Sequence, residues 1–138
     1  MSKELEEGSA FTIDWSKLKK VAEGNPDVVP VAVQDKDSQE VVLVAYANEQ
    51  ALQHSLKTGN ATFWSTSRHE LWEKGATSGE TFELLEVRVN CEQNSLLYIV
   101  RPRRSGMCHT KNKDGIPRSG CYYRSLNFKT GELDNLNP

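Results

Sequence analysis

The sequence predicts an α+β fold, a single compact strand-rich domain with about two helices. Three observations support this class. Short apolar runs of strand length recur between polar turns, two segments carry helical spacing with terminal capping residues, and the 138 residues suit one domain. We expect residues 1–138 to form that domain, with a core over about 28–126 and flexible ends.

The first elements are a short helix and a hairpin. Residues 14–24 read as a helix in which Asp14 is the N-cap and Gly24 the stop, after a loose tail over residues 1–10. Two nearly continuous apolar runs, Val28–Val33 and Val41–Ala47, flank a polar turn. We expect these two strands to pair and their sheet to be covered on both faces.

The second helix follows Asn48, a good N-cap, and ends near Gly59, a residue suited to a left-handed C-terminal position. Ala51, Leu52 and Leu56 fall on one face at helical spacing. The remaining predicted strands cover residues 61–64, 82–89, 95–100 and 121–128, with a turn at 92–94, a basic loop over 101–120 and a polar tail over 129–138.

Charge and hydropathy exclude several classes of protein. Acidic residues number 19 and basic residues 17, so no global positive field favours nucleic acid. The longest apolar run, Val41–Ala47, is too short to span a bilayer, and Met1–Glu7 lacks the apolar core of a signal peptide. We therefore expect a cytoplasmic protein that does not bind a membrane.

Three cysteines, Cys91, Cys108 and Cys121, are the strongest chemical signal. Their odd number excludes a closed set of intrachain disulfides, and in the cytosol clustered thiols bind metal or react more often than they form bridges. Three thiolates with water in the fourth position would form a catalytic zinc site. Spacing alone also allows three small buried hydrophobic residues. His109, beside Cys108, favours the metal site.

Two loops have the composition of an anion site. Ser65, Thr66, Ser67 and Arg68 offer hydroxyls, backbone amides and one fixed cation, which suit a phosphate, although an ordinary polar loop has the same composition. Lys74–Gly79 repeats this pattern. Trp64 and Trp72 flank the first loop and favour core or interface positions over base stacking. Basic residues are concentrated near the cysteines, at positions Arg101, Arg103, Arg104, Lys111, Lys113, Arg118 and Arg124.

An ordered series of segments resembles one enzyme family over roughly residues 28–126. The series consists of Val44–Leu52, Phe63–Arg68, Leu71–Gly75, Thr77–Gly79, Asn90–Cys91, Cys108–Thr110 and Ser119–Arg124. It resembles phosphoribosyl-AMP cyclohydrolase of histidine biosynthesis, in a monofunctional form.

The resemblance implies an intertwined homodimer that hydrolyses the N1–C6 bond of the adenine ring of 1-(5-phosphoribosyl)-AMP with a zinc-activated water. One zinc per subunit would be held by Cys91 from one chain and by Cys108 and Cys121 from the other, and His109 would shuttle protons. The residues implied in binding the small phosphoribosyl nucleotide are Trp64, Ser65, Ser67, Arg68, Lys74, Thr77, Ser78 and Arg124.

The sequence departs from the family pattern in two places. Where the family pattern has three carboxylates that bind magnesium, this sequence has Asn90, Glu92 and Asn94, so one carboxylate remains, which predicts a weakened or absent Mg²⁺ site. Twelve residues also separate Cys108 from Cys121, more than is usual in the family. Two alternatives stay open: a diverged paralogue with the same zinc chemistry on another purine nucleotide, and a non-catalytic zinc-binding protein.

Overall fold

The structure is a computed structural model that describes residues 3–75, 81–104 and 107–138. These residues form three helices and eight strands, so the strand-rich α+β prediction is confirmed. The helices are α1 (Lys3–Glu7), α2 (Lys17–Gly24) and α3 (Glu49–Thr58). The strands are β1 (Val29–Asp35), β2 (Val41–Ala47), β3 (Thr62–Ser65), β4 (Glu70–Glu73), β5 (Phe82–Val89), β6 (Leu96–Pro102), β7 (Arg124–Leu126) and β8 (Leu133–Asn135).

A four-stranded mixed sheet forms the centre of the molecule, in the order β2-β1-β6-β5. The predicted hairpin of β1 and β2 is confirmed and antiparallel, whereas β1 and β6 run parallel. Val31, Val33 and Tyr98 are fully buried on this sheet, and Phe63 packs against Tyr98 with ring centroids 5.6 Å apart. Trp72 also packs on Phe63, with ring centroids 5.5 Å apart, and therefore belongs to the core packing.

The second predicted helix has the predicted ends. The Asn48 side chain accepts a hydrogen bond from the Ala51 N–H at 2.9 Å, and Gly59 is left-handed with φ of 75°. On the face predicted to carry Ala51, Leu52 and Leu56, Ala51 is buried but Leu56 is 57% exposed, so the face does not pack on the core along its whole length. Ser55 is buried instead, because its hydroxyl accepts from the Thr62 N–H and turns that side of the helix toward β3.

The first predicted helix begins later than expected. The Asp14 carboxylate accepts hydrogen bonds from the Ser16 N–H and hydroxyl and from the Lys20 ammonium, and these bonds form a turn rather than an N-cap. The helix therefore begins at Lys17, after Ser16, and Gly24 is its last residue rather than its stop. These hydrogen bonds lower the pKa of Asp14 to about 2, and the bond from the Ser16 side chain has the largest effect.

Both ends of the chain are more ordered than predicted. The loose tail over residues 1–10 is wrong for its described part, which contains α1 and is held to the rest of the chain: the Ser9 carbonyl accepts from the Leu133 N–H at 2.8 Å. The final strand is only Arg124–Leu126, and the predicted polar tail pairs with it through β8. The chain ends therefore lie together, on the side of the molecule that carries the last two cysteines.

The outer strand β2 is not covered on both faces within one chain. Val41 and Val44 are 50% and 51% exposed, so the prediction of double coverage is wrong for this strand. Among the described residues, no helix is both long enough and apolar enough to cross a membrane.

Candidate active site

Two of the three cysteines converge. The Sγ atoms of Cys108 and Cys121 lie 3.7 Å apart, although thirteen positions separate the residues in sequence. The Arg118 carbonyl accepts from the Cys108 N–H at 3.0 Å, and the Val42 carbonyl accepts from the Cys121 N–H at 2.7 Å. Gly120 permits this docking, because a Cβ there would lie 3.2 Å from the Cα of Val42. The loop between the cysteines is thus fixed at both ends.

The environment of the thiol pair opposes negative charge in the absence of a cation. Cys121 is exposed as a residue, yet its pKa is raised to about 12. The larger cause is burial of its thiol, and the second is the charge of neighbouring Cys108. Lys74 acts in the opposite direction and lowers this pKa. The Thr110 hydroxyl lies 3.0 Å from the Cys108 Sγ. Two buried thiols at this distance are typical of ligands that lose their protons when a metal binds.

Cys91 does not join this pair within one chain. It is exposed, in the turn that follows β5. Within residues 3–75, 81–104 and 107–138, no group of three His, Cys, Asp or Glu side chains could hold a metal ion. The three predicted ligands are therefore not brought together within the described part of one chain.

His109 lies on the loop beside Cys108 with a mostly exposed side chain. Its Nε2 lies 2.5 Å from an oxygen of Glu6. The sequence does not predict the contact of Glu6, because an acidic run at the start of a chain also fits a loose tail. The one signal that could have indicated the contact was the opposite charge of that run and the basic loop over residues 101–120.

The three residues predicted to replace a magnesium motif bind one another. Asn90 Oδ1 accepts from the backbone N–H groups of Asn94 and Ser95, both at 2.9 Å. Asn94 Oδ1 accepts from the Asn90 side-chain amide at 2.6 Å, and Glu92 accepts from that of Asn94 at 3.1 Å. Each of these oxygens thus faces an N–H donor, which disfavours a hard cation in this arrangement.

The Ser65–Arg68 loop forms a small polar cluster at the end of β3. The Ser65 hydroxyl accepts from the Arg68 backbone N–H at 3.2 Å and from its Nε at 3.4 Å, and it lies 3.5 Å from the Ser67 hydroxyl. Arg68 and both hydroxyls are accessible to solvent. The arrangement can bind an anion with two hydroxyls and one guanidinium.

Asn25, which the sequence analysis did not single out, holds this loop in place. Its side chain is buried, accepts from the Trp64 indole N–H at 2.9 Å and donates to the Thr66 carbonyl at 3.1 Å. Trp64 lines a pocket of about 140 Å³ together with Asn25 and His69. Nothing in the residues around Asn25 distinguishes it from an ordinary helix-terminal asparagine.

The remaining predicted cations divide into two groups. Lys74 lies over the Phe82 ring at 5.4 Å, and Arg124 lines, with Cys121, a pocket of about 340 Å³. By contrast, Arg118, one of the basic residues near the cysteines, is 1% exposed and paired with Glu7, so it is not available to bind an anionic substrate. Thr77 and Ser78 lie outside the described residues.

Comparison with known proteins identifies the family. A family model described as phosphoribosyl-AMP cyclohydrolase matches residues 43–123. The phosphoribosyl-AMP cyclohydrolase of Archaeoglobus fulgidus is 43% identical over 99 residues, which cover 72% of this chain and 85% of the relative. The chain belongs to the phosphoribosyl-AMP cyclohydrolase family.

Other relatives support the same family assignment. The phosphoribosyl-AMP cyclohydrolase of Halobacterium salinarum is 43% identical over 103 residues, 75% of this chain and 74% of the relative. The histidine biosynthesis bifunctional protein HisIE of Aquifex aeolicus is 39% identical over 110 residues, 80% of this chain but 49% of that protein. The resemblance to phosphoribosyl-AMP cyclohydrolases is thereby confirmed.

The span that matches the cyclohydrolase family contains all three cysteines, His109 and the loop from Ser65 to Arg68. It does not contain Glu6, Glu7 or Asn25, which contact residues of the span from outside it. The part of the site that matches the family is therefore held by residues that the match does not cover.

Proposed function

We propose that this protein hydrolyses the N1–C6 bond of the adenine ring of 1-(5-phosphoribosyl)-AMP, a step of L-histidine biosynthesis. The observation that carries the proposal is the thiol pair of Cys108 and Cys121, 3.7 Å apart within the span that matches the cyclohydrolase family. Membership of an enzyme family argues against the alternative of a non-catalytic zinc-binding protein.

The thiol pair fits zinc. Two thiolates bound to one tetrahedral zinc at about 2.3 Å each would stand about 3.8 Å apart, close to the spacing of these sulfurs. Cys91 of a second subunit would supply the third ligand. When bound, zinc supplies Lewis-acid activation of a water molecule.

A homodimer would complete this ligand set and cover apolar surface. Phe11, Ile13 and Tyr122 are 46%, 54% and 60% exposed, and they line the pocket beside Cys121. Val44 on β2 is exposed as well. Exposed apolar residues next to an incomplete metal site favour a subunit interface at this position.

The protein residues have separate roles in the proposed reaction. The oxygen of water becomes the carboxamide oxygen on C6, and the C6–N1 bond breaks. One proton of the water passes to N1, which remains in the formimino group, and the other passes to the exocyclic nitrogen, which becomes the carboxamide NH2. His109 moves a proton, because it lies beside the metal ligand Cys108 and a neutral imidazole can both accept and donate.

Binding of the two phosphates is assigned to two regions. Ser65, Ser67 and Arg68 would hold one phosphate, with Trp64 beside them. Lys74 and Arg124 would hold the other, near the thiols. The predicted roles of Thr77 and Ser78 in phosphate binding are part of the same proposal. Magnesium would bind weakly at Asn90, Glu92 and Asn94, supported by substrate phosphate oxygens. We place the reaction in the cytoplasm, where thiols stay reduced.

The test is direct conversion of 1-(5-phosphoribosyl)-AMP by the purified zinc-loaded protein, followed by the absorbance change of ring opening. The expected result is turnover that His109→Ala lowers by about 10²–10⁴-fold at unchanged zinc content. Absence of turnover by the wild-type protein would overturn the proposal.

A second candidate function is the same zinc chemistry on another purine nucleotide. Two observations favour it, the hydrogen-bonded Asn90–Asn94 turn in place of a carboxylate triplet and the longer loop after Cys108. Rescue of a histidine auxotroph that lacks the cyclohydrolase separates the two, because an enzyme for another nucleotide should not restore growth.

A further inference from the structure

We propose that Glu6 is a positioning residue for His109, and that it holds the imidazole in the tautomer whose Nδ1 is free to move the proton. This inference rests on the proposed function, in which His109 is the proton shuttle. It is carried by the contact between an oxygen of Glu6 and the His109 Nε2, at 2.5 Å.

The N-terminal segment that carries Glu6 is fastened to the cysteine loop at several points. Arg118 donates two hydrogen bonds to the Glu7 carboxylate, at 2.7 and 2.8 Å. The Tyr123 hydroxyl donates to the Glu6 carbonyl at 2.8 Å, and Arg124 donates to the Gly8 carbonyl at 3.1 Å. Because these contacts fix the backbone at Glu6 and just after it, the Glu6 side chain reaches His109 from a defined position.

The chemistry of the two groups determines which imidazole nitrogen is free. An ionised carboxylate can only accept hydrogen bonds, so Nε2 of His109 must donate to Glu6. In the neutral imidazole the proton then resides on Nε2 and the lone pair on Nδ1. Nδ1 is therefore the nitrogen that receives a proton from the reacting water or passes one to N1 of the substrate.

His109 needs such a partner because its own surroundings leave it free to turn. Its side chain is 67% exposed, whereas that of Glu6 is 22% exposed. Without Glu6, rotation of the ring and exchange between tautomers would leave only part of the population in the productive state. The expected loss is therefore in kcat, with little change in KM.

The experiment compares two substitutions of Glu6 with a matched control on the same helix. Glu6→Ala should lower kcat by about tenfold or more at unchanged KM and zinc content, since loss of a carboxylate that orients an imidazole costs about 10–100-fold at metal sites. Glu6→Gln should retain part of the rate, because its amide oxygen can still accept from Nε2–H. Glu4→Ala, on an exposed residue of α1, should match the wild-type protein.

A double-substitution cycle separates positioning from a general structural effect. If Glu6 acts through His109, Glu6→Ala should cause no further loss of kcat in a His109→Ala background. Two losses that multiply would overturn the proposal, as would a Glu6→Ala enzyme with wild-type kcat.

An imidazole ¹⁵N NMR spectrum tests the same contact without activity. His109 should show the Nε2–H tautomer in the wild-type protein and a tautomer mixture in Glu6→Ala, with His109→Ala identifying its signals among the three histidines. An unchanged spectrum would contradict the assignment. Failure of the proposed function would appear differently, as a wild-type protein without turnover whose His109 signals still respond to Glu6→Ala.

Discussion

Arg118 and Glu7 form an ion pair between residues 111 positions apart in sequence, with guanidinium nitrogens 2.7 and 2.8 Å from the two carboxylate oxygens. Arg118 is 1% exposed, also donates to the Asn137 carbonyl at 2.9 Å, and lies 4.1 Å over the Tyr123 ring. One side chain thus connects both ends of the chain. The carbonyl of the same residue accepts from the Cys108 N–H, so the pair also supports the thiol loop.

This ion pair should make the free energy of unfolding depend on pH in the acidic range. The hydrogen bond from Arg118 lowers the pKa of Glu7 below its ordinary value of 4.5. A lowered folded-state pKa gives stabilisation that is complete above about pH 4.5 and is lost as pH falls through the lowered pKa. The difference in unfolding free energy between wild type and Glu7→Gln, from urea titrations, should therefore be greatest near neutral pH and shrink below pH 4.5.

Asp14→Asn is the control for that experiment. The pKa of Asp14 is lowered from 3.8 to about 2. The difference in unfolding free energy between wild type and Asp14→Asn should therefore shrink only below pH 3.8. A Glu7→Gln difference that stays constant from pH 7 to pH 3 would contradict the role assigned to the ion pair.

Local sequence signals predicted the elements that depend on neighbouring residues. Asn48 and Gly59 bound α3 as expected, and Phe82–Val89 is a strand over the predicted range. The contacts of Glu6 and Glu7 could not be predicted in this way, because they join residues more than 100 positions apart and depend on the folded loop. Propensity and periodicity carry no information on such pairs.

The candidate site was predicted to a similar extent. Cys108 and Cys121, two of the three predicted zinc ligands, lie together, whereas Cys91 does not join them within the described residues. A ligand supplied by a second subunit follows from the family resemblance and stays a prediction. Asn25 was missed because its role comes from one buried side chain that bridges Trp64 and Thr66.

Asn25 should determine the shape of the Ser65–Arg68 loop. Asn25→Ala removes the partners of the Trp64 indole N–H and the Thr66 carbonyl, and should lower the unfolding free energy by about 1–3 kcal/mol. It should also raise KM, because the loop loses its support. Asn25→Asp keeps the acceptor for Trp64 but sets a carboxylate oxygen against the Val21 and Thr66 carbonyls, so it should not restore stability. Wild-type stability of Asn25→Ala in thermal or urea unfolding would exclude this role.

Arg68 should contribute to substrate binding rather than to chemistry. A charged hydrogen bond to phosphate is worth about 1.5–3 kcal/mol, so Arg68→Met should raise KM by about 10–100-fold and leave kcat nearly unchanged. Arg101→Met is the matched control, since Arg101 is an accessible arginine paired with Asp37, away from the loop. Equal effects of the two substitutions on KM would contradict the assignment.

Restoring carboxylates should strengthen the magnesium site. The double substitution Asn90→Asp/Asn94→Asp adds two negative charges, and the new carboxylate at position 90 can still accept from the backbone amides that Asn90 now binds. The Mg²⁺ dissociation constant from calorimetry should fall by roughly tenfold or more. Asn127→Asp, at another asparagine that accepts from two turn amides, is the control. Equal affinity in the double variant and the control would argue against a cation site at this turn.

The proposal of a zinc site shared between two subunits is tested by mixing two inactive variants. Cys91→Ser and Cys108→Ser should each lose zinc and activity, since every site in either homodimer lacks one ligand. When the two variants are unfolded and refolded together, about half of the dimers should contain one chain of each variant. Each mixed dimer should have one complete site, formed by Cys91 of the Cys108→Ser chain and by Cys108 and Cys121 of the Cys91→Ser chain. The mixture should therefore recover roughly a quarter of the wild-type zinc content and turnover. No recovery in the mixture, or one tightly bound zinc per chain in Cys91→Ser alone, would contradict the proposal.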